Sequence, residues 1–268
     1  MDLRNNEFYG GLSGNWGRCP NLAAVLLADN HITGQIPSEL GNASQLHALD
    51  LSSNDFTGEI PNQVMMLASM LKLNLQNNQL FGNIPEEVSL LKNLLYLDLS
   101  RNFLRGSIPE TLGGYQQLFY LNLSNNNLSH QIPPQMGKLT RLSVLDLSHN
   151  HITGEIPPEF RSFQSLEILD ISHNNLSGFL PNALAELPGY LHIDISFNNL
   201  EGPIPYGRAF KNITIEELRG NKGLCGNITG LQACRSPQLS MKRVKDKGLN
   251  LVLVIVLPLL GSLILLCA

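Results

Sequence analysis

Nine asparagines recur at one fixed interval of 24 residues: Asn6, Asn30, Asn54, Asn78, Asn102, Asn126, Asn150, Asn174 and Asn198. A fold with a single core has elements of unequal length and does not need such regularity. A stack of equivalent coils does, because each coil buries its apolar face only against its neighbours. Around each Asn the same frame returns: apolar at −5, −3 and +2, Gly at +4, Ile or Leu at +6 and Pro at +7. The stretches Leu49–Pro61 (LDLSSNDFTGEIP) and Leu145–Pro157 (LDLSHNHITGEIP) show it in full. Eight consecutive coils keep the closing Pro, from Pro37 to Pro205.

Leu49 and Leu51 stand two residues apart, which is strand spacing, so both point into the coil while Ala48, Asp50 and Ser52 point outward. Stacking pairs these short strands into a parallel sheet with about 4.8 Å between rungs. The recurring Asn lies where the chain leaves the strand. Buried there, its amide must bond to backbone, most simply to the free groups of the next turn. The ladder of nine is therefore structural. A second apolar column at the same spacing closes the core on the far side: Trp16, Leu40, Val64, Val88, Leu112, Met136, Phe160 and Leu184.

The Gly-x-Ile-Pro element narrows the architecture, as in Gly34-Gln35-Ile36-Pro37 and Gly58-Glu59-Ile60-Pro61. Gly permits a tight turn and Pro fixes an extended exit. The frame LxxLxLxxNxLxGxIPxxLxxL resembles the plant-specific class of leucine-rich repeats. That resemblance implies an α/β-type repeat solenoid with a parallel sheet on the concave face. It also implies a second short sheet at the Gly-x-Ile-Pro element and a superhelical twist. One repeat carries His130 in place of the Gly, so a locally different turn is expected there.

Charged residues make up only 15% of the chain and the net charge is −4, so there is no basic surface for nucleic acid. The clustered basic residues Lys242, Arg243, Lys245 and Lys247 lie outside the repeats, in a segment read as a juxtamembrane linker over 238–248. Next comes Leu249–Ala268 (LNLVLVIVLPLLGSLILLCA), twenty almost wholly apolar residues. At about 1.5 Å per helical residue they reach about 30 Å, enough to cross a bilayer. Pro258 would kink that transmembrane helix, which membrane helices tolerate.

Residues 1–205 form the repeat array and 206–237 read as a cap over its open apolar end. Two cysteines with eight residues between them, Cys225 and Cys234, can close a short loop there, worth roughly 2–3 kcal/mol. Gly220-Asn221-Lys222-Gly223-Leu224-Cys225-Gly226 with that second Cys resembles the C-terminal cap of plant leucine-rich-repeat receptor-like kinases. The resemblance implies a Cys225–Cys234 disulfide and an oxidising compartment. Cys19 and Cys267 have no evident partner. Six Asn-x-Ser/Thr sequons fit that compartment: Asn42, Asn122, Asn127, Asn175, Asn212 and Asn227. Asn42, Asn212 and Asn227 carry more weight, because LNLS and NNLS arise from the repeat consensus itself.

The N-terminus departs from this pattern. Met1 falls in the middle of a strand position, and no signal peptide or N-terminal cap precedes the repeats. Kinase signatures are also missing. The expectation is an internal piece of a longer receptor: C-terminal repeats of the ectodomain plus the membrane span. The basic cluster on the outer side runs against the tendency of positive charge to stay cytoplasmic. An upstream signal peptide and a basic segment beyond Ala268 are therefore expected. Without a leader the chain would be tail-anchored, with its repeats in the cytosol. Within the receptor-kinase family, Leu12-Ser13-Gly14-Asn15-Trp16-Gly17-Arg18-Cys19 resembles a group whose relatives sense peptides in pollen-tube guidance and root immunity.

Outward strand positions form columns one rung apart. Asp50, Asn74, Asp98, Asn122, Asp146, Asp170 and Asp194 make one, and Ser52, Gln76, Ser100, Ser124, Ser148, Ser172 and Ser196 the next. Most of these follow the LDLS consensus. The column Ala48, Lys72, Tyr96, Tyr120, Val144, Ile168 and His192 does not, and two tyrosines beside a lysine form its best contact patch. The ligand-binding candidates are Lys72, Asn74, Tyr96, Asp98, Tyr120, Asn122 and Asp146. The Arg-x-Arg pair by which one group of the family grips a peptide's terminal carboxylate has no counterpart in these columns. His149 and His173, one repeat apart, could sense acid or hold a metal, but two ligands without a third argue against a metal.

No catalytic constellation rises above the repeat background, so neither an enzyme nor a cofactor is expected. The resulting expectation is a plasma-membrane, single-span array with extracellular repeats that binds a secreted peptide or protein. The family resemblance adds a co-receptor kinase docking near the C-terminal repeats. The alternatives are a receptor Ser/Thr kinase lacking its catalytic half, a soluble inhibitor of cell-wall-degrading enzymes, and a non-functional gene fragment.

Overall fold

A computed structural model describes residues 1–234; the basic segment, the apolar segment 249–268 and Cys267 lie outside the described residues. Two parallel sheets run the length of the array. The eight-stranded sheet takes one three-residue strand from each coil, from Ala24–Leu26 through Tyr96–Asp98 to His192–Asp194, in strict chain order. The ten-stranded sheet takes the segment after each Asn, beginning at Tyr9–Gly11 and ending at Gly223–Cys225. This second sheet is the one the Gly-x-Ile-Pro element implied. No rung slips in the first sheet: Lys72 pairs with Tyr96, Tyr96 with Tyr120 and Tyr120 with Val144.

The remaining side of each coil is a single 3₁₀ turn, such as Ser38–Asn42 or Glu110–Gly114. Among the described residues there is no α-helix, so the α/β-type expectation holds for the sheets and fails for the helical half. Too few residues separate the Ile-Pro exit from the next strand. Pro109 stands at the N-cap of the Glu110–Gly114 turn with φ −61° and ψ 129°, so only one tight turn fits before the core Leu returns.

Between the sheets lies one continuous apolar core in which Leu49, Leu51, Phe56, Val64, Leu112 and Phe160 are sealed from solvent. Trp16, at the open end of the far column, is only half-buried.

The asparagine row shows why the period is so strict. Asn54 Nδ2 donates to the carbonyls of Leu27 (2.9 Å), Leu51 (3.2 Å) and Ser52 (3.1 Å), and its Oδ1 accepts the Ile32 N–H (2.9 Å). One side chain thus satisfies backbone groups of its own coil and of the coil before it. The partner coil is the preceding one, where sequence reasoning had pointed to the next. Asn6 is exposed and bonds only to the Leu3 and Arg4 carbonyls of its own coil. At the other end Asn221, 23 residues after Asn198, donates to Ile195 (2.8 Å) and Leu218 (3.0 Å) and accepts from Leu200 N–H (3.0 Å). The ladder and the second sheet therefore continue past 205, the boundary read from the last closing Pro.

His130 does not alter its turn. Its φ is +68°, in the left-handed region that the Gly positions occupy at +80° to +91°. At Gly106 an added Cβ would meet Asn83 at 2.7 Å, and at Gly154 it would meet Gln131 at 2.7 Å. The corresponding residue facing His130 is the short Ser107, which leaves room for a side chain.

Candidate ligand-binding face

The strands of the eight-stranded sheet place every ligand-binding candidate on one outward surface. Lys72 and Asn74 come from Lys72–Asn74, Tyr96 and Asp98 from Tyr96–Asp98, Tyr120 and Asn122 from Tyr120–Asn122, and Asp146 from Val144–Asp146. Each middle leucine points inward and is buried. The parallel register stacks like positions in neighbouring rungs, setting Asn74 beside Asp98, Asn122 beside Asp98, and Asp146 beside Asn122.

Much of the acidic column serves the backbone. Asp50, Asp98 and Asp146 each accept the hydroxyl of the Ser two residues on, at 2.6, 2.6 and 2.7 Å, together with its N–H. Asn74 and Asn122 accept the equivalent N–H of Gln76 (3.1 Å) and Ser124 (2.9 Å). An acceptor is needed at every rung; a charge is not.

Side chains interlock at Lys72, Tyr96 and Tyr120. The two phenol rings stack with centroids 4.2 Å apart and planes 6° off parallel. The Lys72 ammonium lies 5.3 Å from the Tyr96 ring centre and 2.9 Å from Asp50 Oδ2. Both tyrosine hydroxyls reach Asp98 Oδ2, at 3.3 and 3.4 Å, and Asn122 Nδ2 lies 3.5 Å from the Tyr120 hydroxyl. The result is a rigid amphipathic plate whose polar edges are partnered before any ligand arrives.

These contacts set the local ionisation. Burial pushes the Asp50 carboxyl up, but the Ser52 and Lys72 hydrogen bonds and the Lys72 charge outweigh it and hold Asp50 below its ordinary value. Asp98 is 2% exposed, and there burial wins over the bonds from Ser100 and the tyrosines, so its carboxyl titrates higher than usual. Burial, then the Asp98 charge, raises the Tyr96 hydroxyl. Burial raises the Asp170 carboxyl too, and the charges of Asp146 and Asp194 on either side add to it.

His149 and His173 meet face to face, centroids 4.1 Å apart and planes 11° off parallel. Rings stacked in this way aim their nitrogens along parallel directions and cannot converge on one ion. Among the described residues no group of three or more His, Cys, Asp or Glu side chains is placed to hold a metal. The stack continues onto Phe197 (4.3 Å) and ends under Arg219, 5.2 Å from the Phe197 ring centre. Sequence reasoning missed Phe197 and Arg219; the 24-residue spacing from His173 gives the first, while Arg219 falls in the shortened last coil. Burial, and next the His149 ring, lower the His173 imidazole.

Cys225 and Cys234 form a disulfide with Cα atoms 4.8 Å apart, and Cys19 is a free, exposed thiol. Five sequon asparagines, Asn42, Asn127, Asn175, Asn212 and Asn227, are exposed. Asn122 is half-buried and stands in the tyrosine patch itself. Among the described residues no helix is long and apolar enough to cross a membrane.

Profiles of the leucine rich repeat match residues 68–128 and 140–200, and a second leucine-rich-repeat profile matches 45–67, together more than half of the chain. The chain belongs to the leucine-rich-repeat family. A search of curated proteins gave no match. Among solved structures it is similar to the ectodomain of the Arabidopsis thaliana membrane receptor kinase GASSHO1/SCHENGEN3, solved in complex with CASPARIAN STRIP INTEGRITY FACTOR 2. That match has 31% identity and a TM-score of 0.74, covering 88% of this chain and 31% of that one. The ectodomain of the Arabidopsis receptor kinase HAESA, solved with an IDA peptide hormone ligand, matches at 32% identity and TM-score 0.75 over 88% of this chain and 43% of that one. HAESA has also been solved with IDA and the co-receptor SERK1, and that complex matches at 32% identity and TM-score 0.67, with the same coverage. A plant ice-binding protein matches at 29% identity and TM-score 0.69 over 88% of this chain and 84% of that one. This chain thus spans less than half the length of the receptor ectodomains it resembles.

Proposed function

We propose that this chain is a ligand-binding part of a plant cell-surface receptor ectodomain, taking a secreted peptide or protein on the outward face of the eight-stranded sheet. The observation that carries this reading is the Lys72–Tyr96–Tyr120 plate, the place where the outward column abandons the repeat consensus for large, pre-ordered side chains. A rigid aromatic surface loses little entropy on binding, which suits a contact hot spot. The role is binding rather than catalysis. In this reading a co-receptor kinase docks near the C-terminal repeats, 249–268 span the plasma membrane, the repeats face outward and are glycosylated, and a Ser/Thr kinase domain belongs to the full-length protein. Likeness to receptor kinases solved with peptide ligands, and in one case with a co-receptor, supports it.

The ice-binding likeness is not carried over. A surface that matches an ice lattice needs a uniform, uncharged row, and the outward row of the ten-stranded sheet is broken by Phe81, Arg105 and Glu201.

The test is peptide affinity, screened against secreted plant peptides by calorimetry. Replacing Tyr96 and Tyr120 together with Ala should cost about 2 kcal/mol or more of binding while leaving the fold intact. Unchanged affinity in a correctly folded double variant would move the site elsewhere on the array.

A further inference from the structure

The cap holds a groove of about 1010 Å³, at the upper end of what ligand sites enclose. Its floor is apolar, built from Ile213, Ile215 and Ile228, with the fully exposed ring of Tyr206 at its rim. Apolar surface left open in this way is a liability for a secreted protein unless something covers it. Two lining residues, Asn227 and Thr229, belong to one sequon, Asn227-Ile228-Thr229. The loop that carries them is closed by the Cys225–Cys234 disulfide and fixed by Gly226 N–H to Gln232 O (2.9 Å) and Leu231 N–H to Ile228 O (2.9 Å). Asn227 is therefore held in place beside the groove. Asn212, the other sequon in the cap, lines a different cleft beside Tyr190 and His192.

We propose that an N-linked glycan on Asn227 lies in this groove and is its cover. The donor is a polyprenyl-diphosphate-linked oligosaccharide. Its sugar C1–oxygen bond breaks as Asn227 Nδ2 bonds to C1, and the Nδ2 proton leaves with the released lipid diphosphate. The first sugars then lay their C–H faces and N-acetyl methyl groups on Tyr206, Ile213 and Ile228, while their hydroxyls stay in water. The cover turns an apolar surface into a solvated one without a protein partner. This rests on the extracellular reading above.

The test uses the full chain, sent to the surface of plant cells by an added signal peptide. Site occupancy is read by glycopeptide mass spectrometry, and Tyr206 exposure by hydroxyl-radical footprinting. The expected result is a glycan at Asn227 and severalfold faster Tyr206 labelling in Asn227→Gln and in Thr229→Ala, which keeps the Asn but destroys the sequon. Asn212→Gln should leave Tyr206 labelling unchanged. Equal Tyr206 labelling with and without the Asn227 glycan would overturn the proposal, as would an empty Asn227 in a chain glycosylated at Asn42. If instead Tyr206 is shielded in every variant, the groove is filled by a protein segment and the glycan is not its cover. A chain without glycan at any sequon, Asn42 included, overturns the extracellular reading and the cover together.

Discussion

Two rows of the same coils obey opposite rules. The buried row from Asn30 to Asn198 never changes residue, and Asn221 adds a ninth rung with a shorter spacing. The outward row Ala48, Lys72, Tyr96, Tyr120, Val144, Ile168 and His192 changes at almost every step. Both belong to one stack with one register, so the difference lies in what each position must satisfy. Each Asn of the buried row closes backbone bonds of two coils, and no other side chain offers that donor and acceptor set in that space. An outward residue has solvent as its alternative partner and is free to vary. Variation along this solenoid is where information about a partner can reside.

The largest expected effect tests the strict row. Asn102→Ala would leave the Leu80 N–H unpaired and take from the Leu75, Leu99 and Ser100 carbonyls one of the two hydrogen bonds each accepts, all four bonds now measuring 2.9–3.2 Å. The unpaired N–H costs about 1–3 kcal/mol and each of the three lost carbonyl bonds about 0.5–1.5 kcal/mol, so the loss should be about 3 kcal/mol or more in urea unfolding. Asn6→Ala, at the exposed end, should stay within about 0.5 kcal/mol of the parent. Equal costs at the two positions would mean that the buried row is not what holds the coils together.

Legibility followed the same division. Periodicity alone placed the strands of the eight-stranded sheet, because a fixed 24-residue repeat leaves one register and Leu49-x-Leu51 leaves one inward face. It placed Lys72, Tyr96 and Tyr120 in adjoining rungs for the same reason. Ring stacking at 4.2 Å and the convergence of both hydroxyls on Asp98 were beyond it, since they depend on side-chain torsions that the repeat does not specify. Asn221 escaped because the last coil is one residue short. The 3₁₀ turns were hidden because five residues such as Ser38–Asn42 carry too little periodic signal to distinguish one tight helix from another.

A smaller effect is expected where a strict row was broken. His130 holds φ +68° with a Cβ, a conformation that costs a non-glycine residue roughly 1 kcal/mol or more. His130→Gly removes that strain but makes the unfolded chain freer and gives up the exposed Ser129 Oγ–His130 Nδ1 contact of 2.9 Å. The net expectation is a gain of up to about 1 kcal/mol. A loss of stability would show that Ser107 does more than make room and that the repeat is repaired locally by contacts of the imidazole.

The smallest effect concerns charge in the relaxed face, and it appears only as a change of slope with pH. Asp98 is buried, and its carboxyl titrates above the unfolded value of about 3.9, so between the two values the folded state holds more proton than the unfolded one. Stability contributed by this group is therefore highest in acid and falls as pH rises through the folded-state value. Asn74 and Asn122, in the rungs on either side, already accept the required N–H without a charge. Asp98→Asn should keep the Ser100 N–H bonded, let Nδ2 meet the tyrosine hydroxyls as Asn122 meets Tyr120, and flatten the decline in urea midpoint from pH 4 to pH 7. Asp170 would retain its own slope in the same direction, so the decline should shrink without vanishing. An unchanged or steeper decline would mean that the tyrosine hydroxyls and Ser100 stabilise the Asp98 carboxylate more than burial penalises it, and that the charge is part of what the plate presents to its ligand.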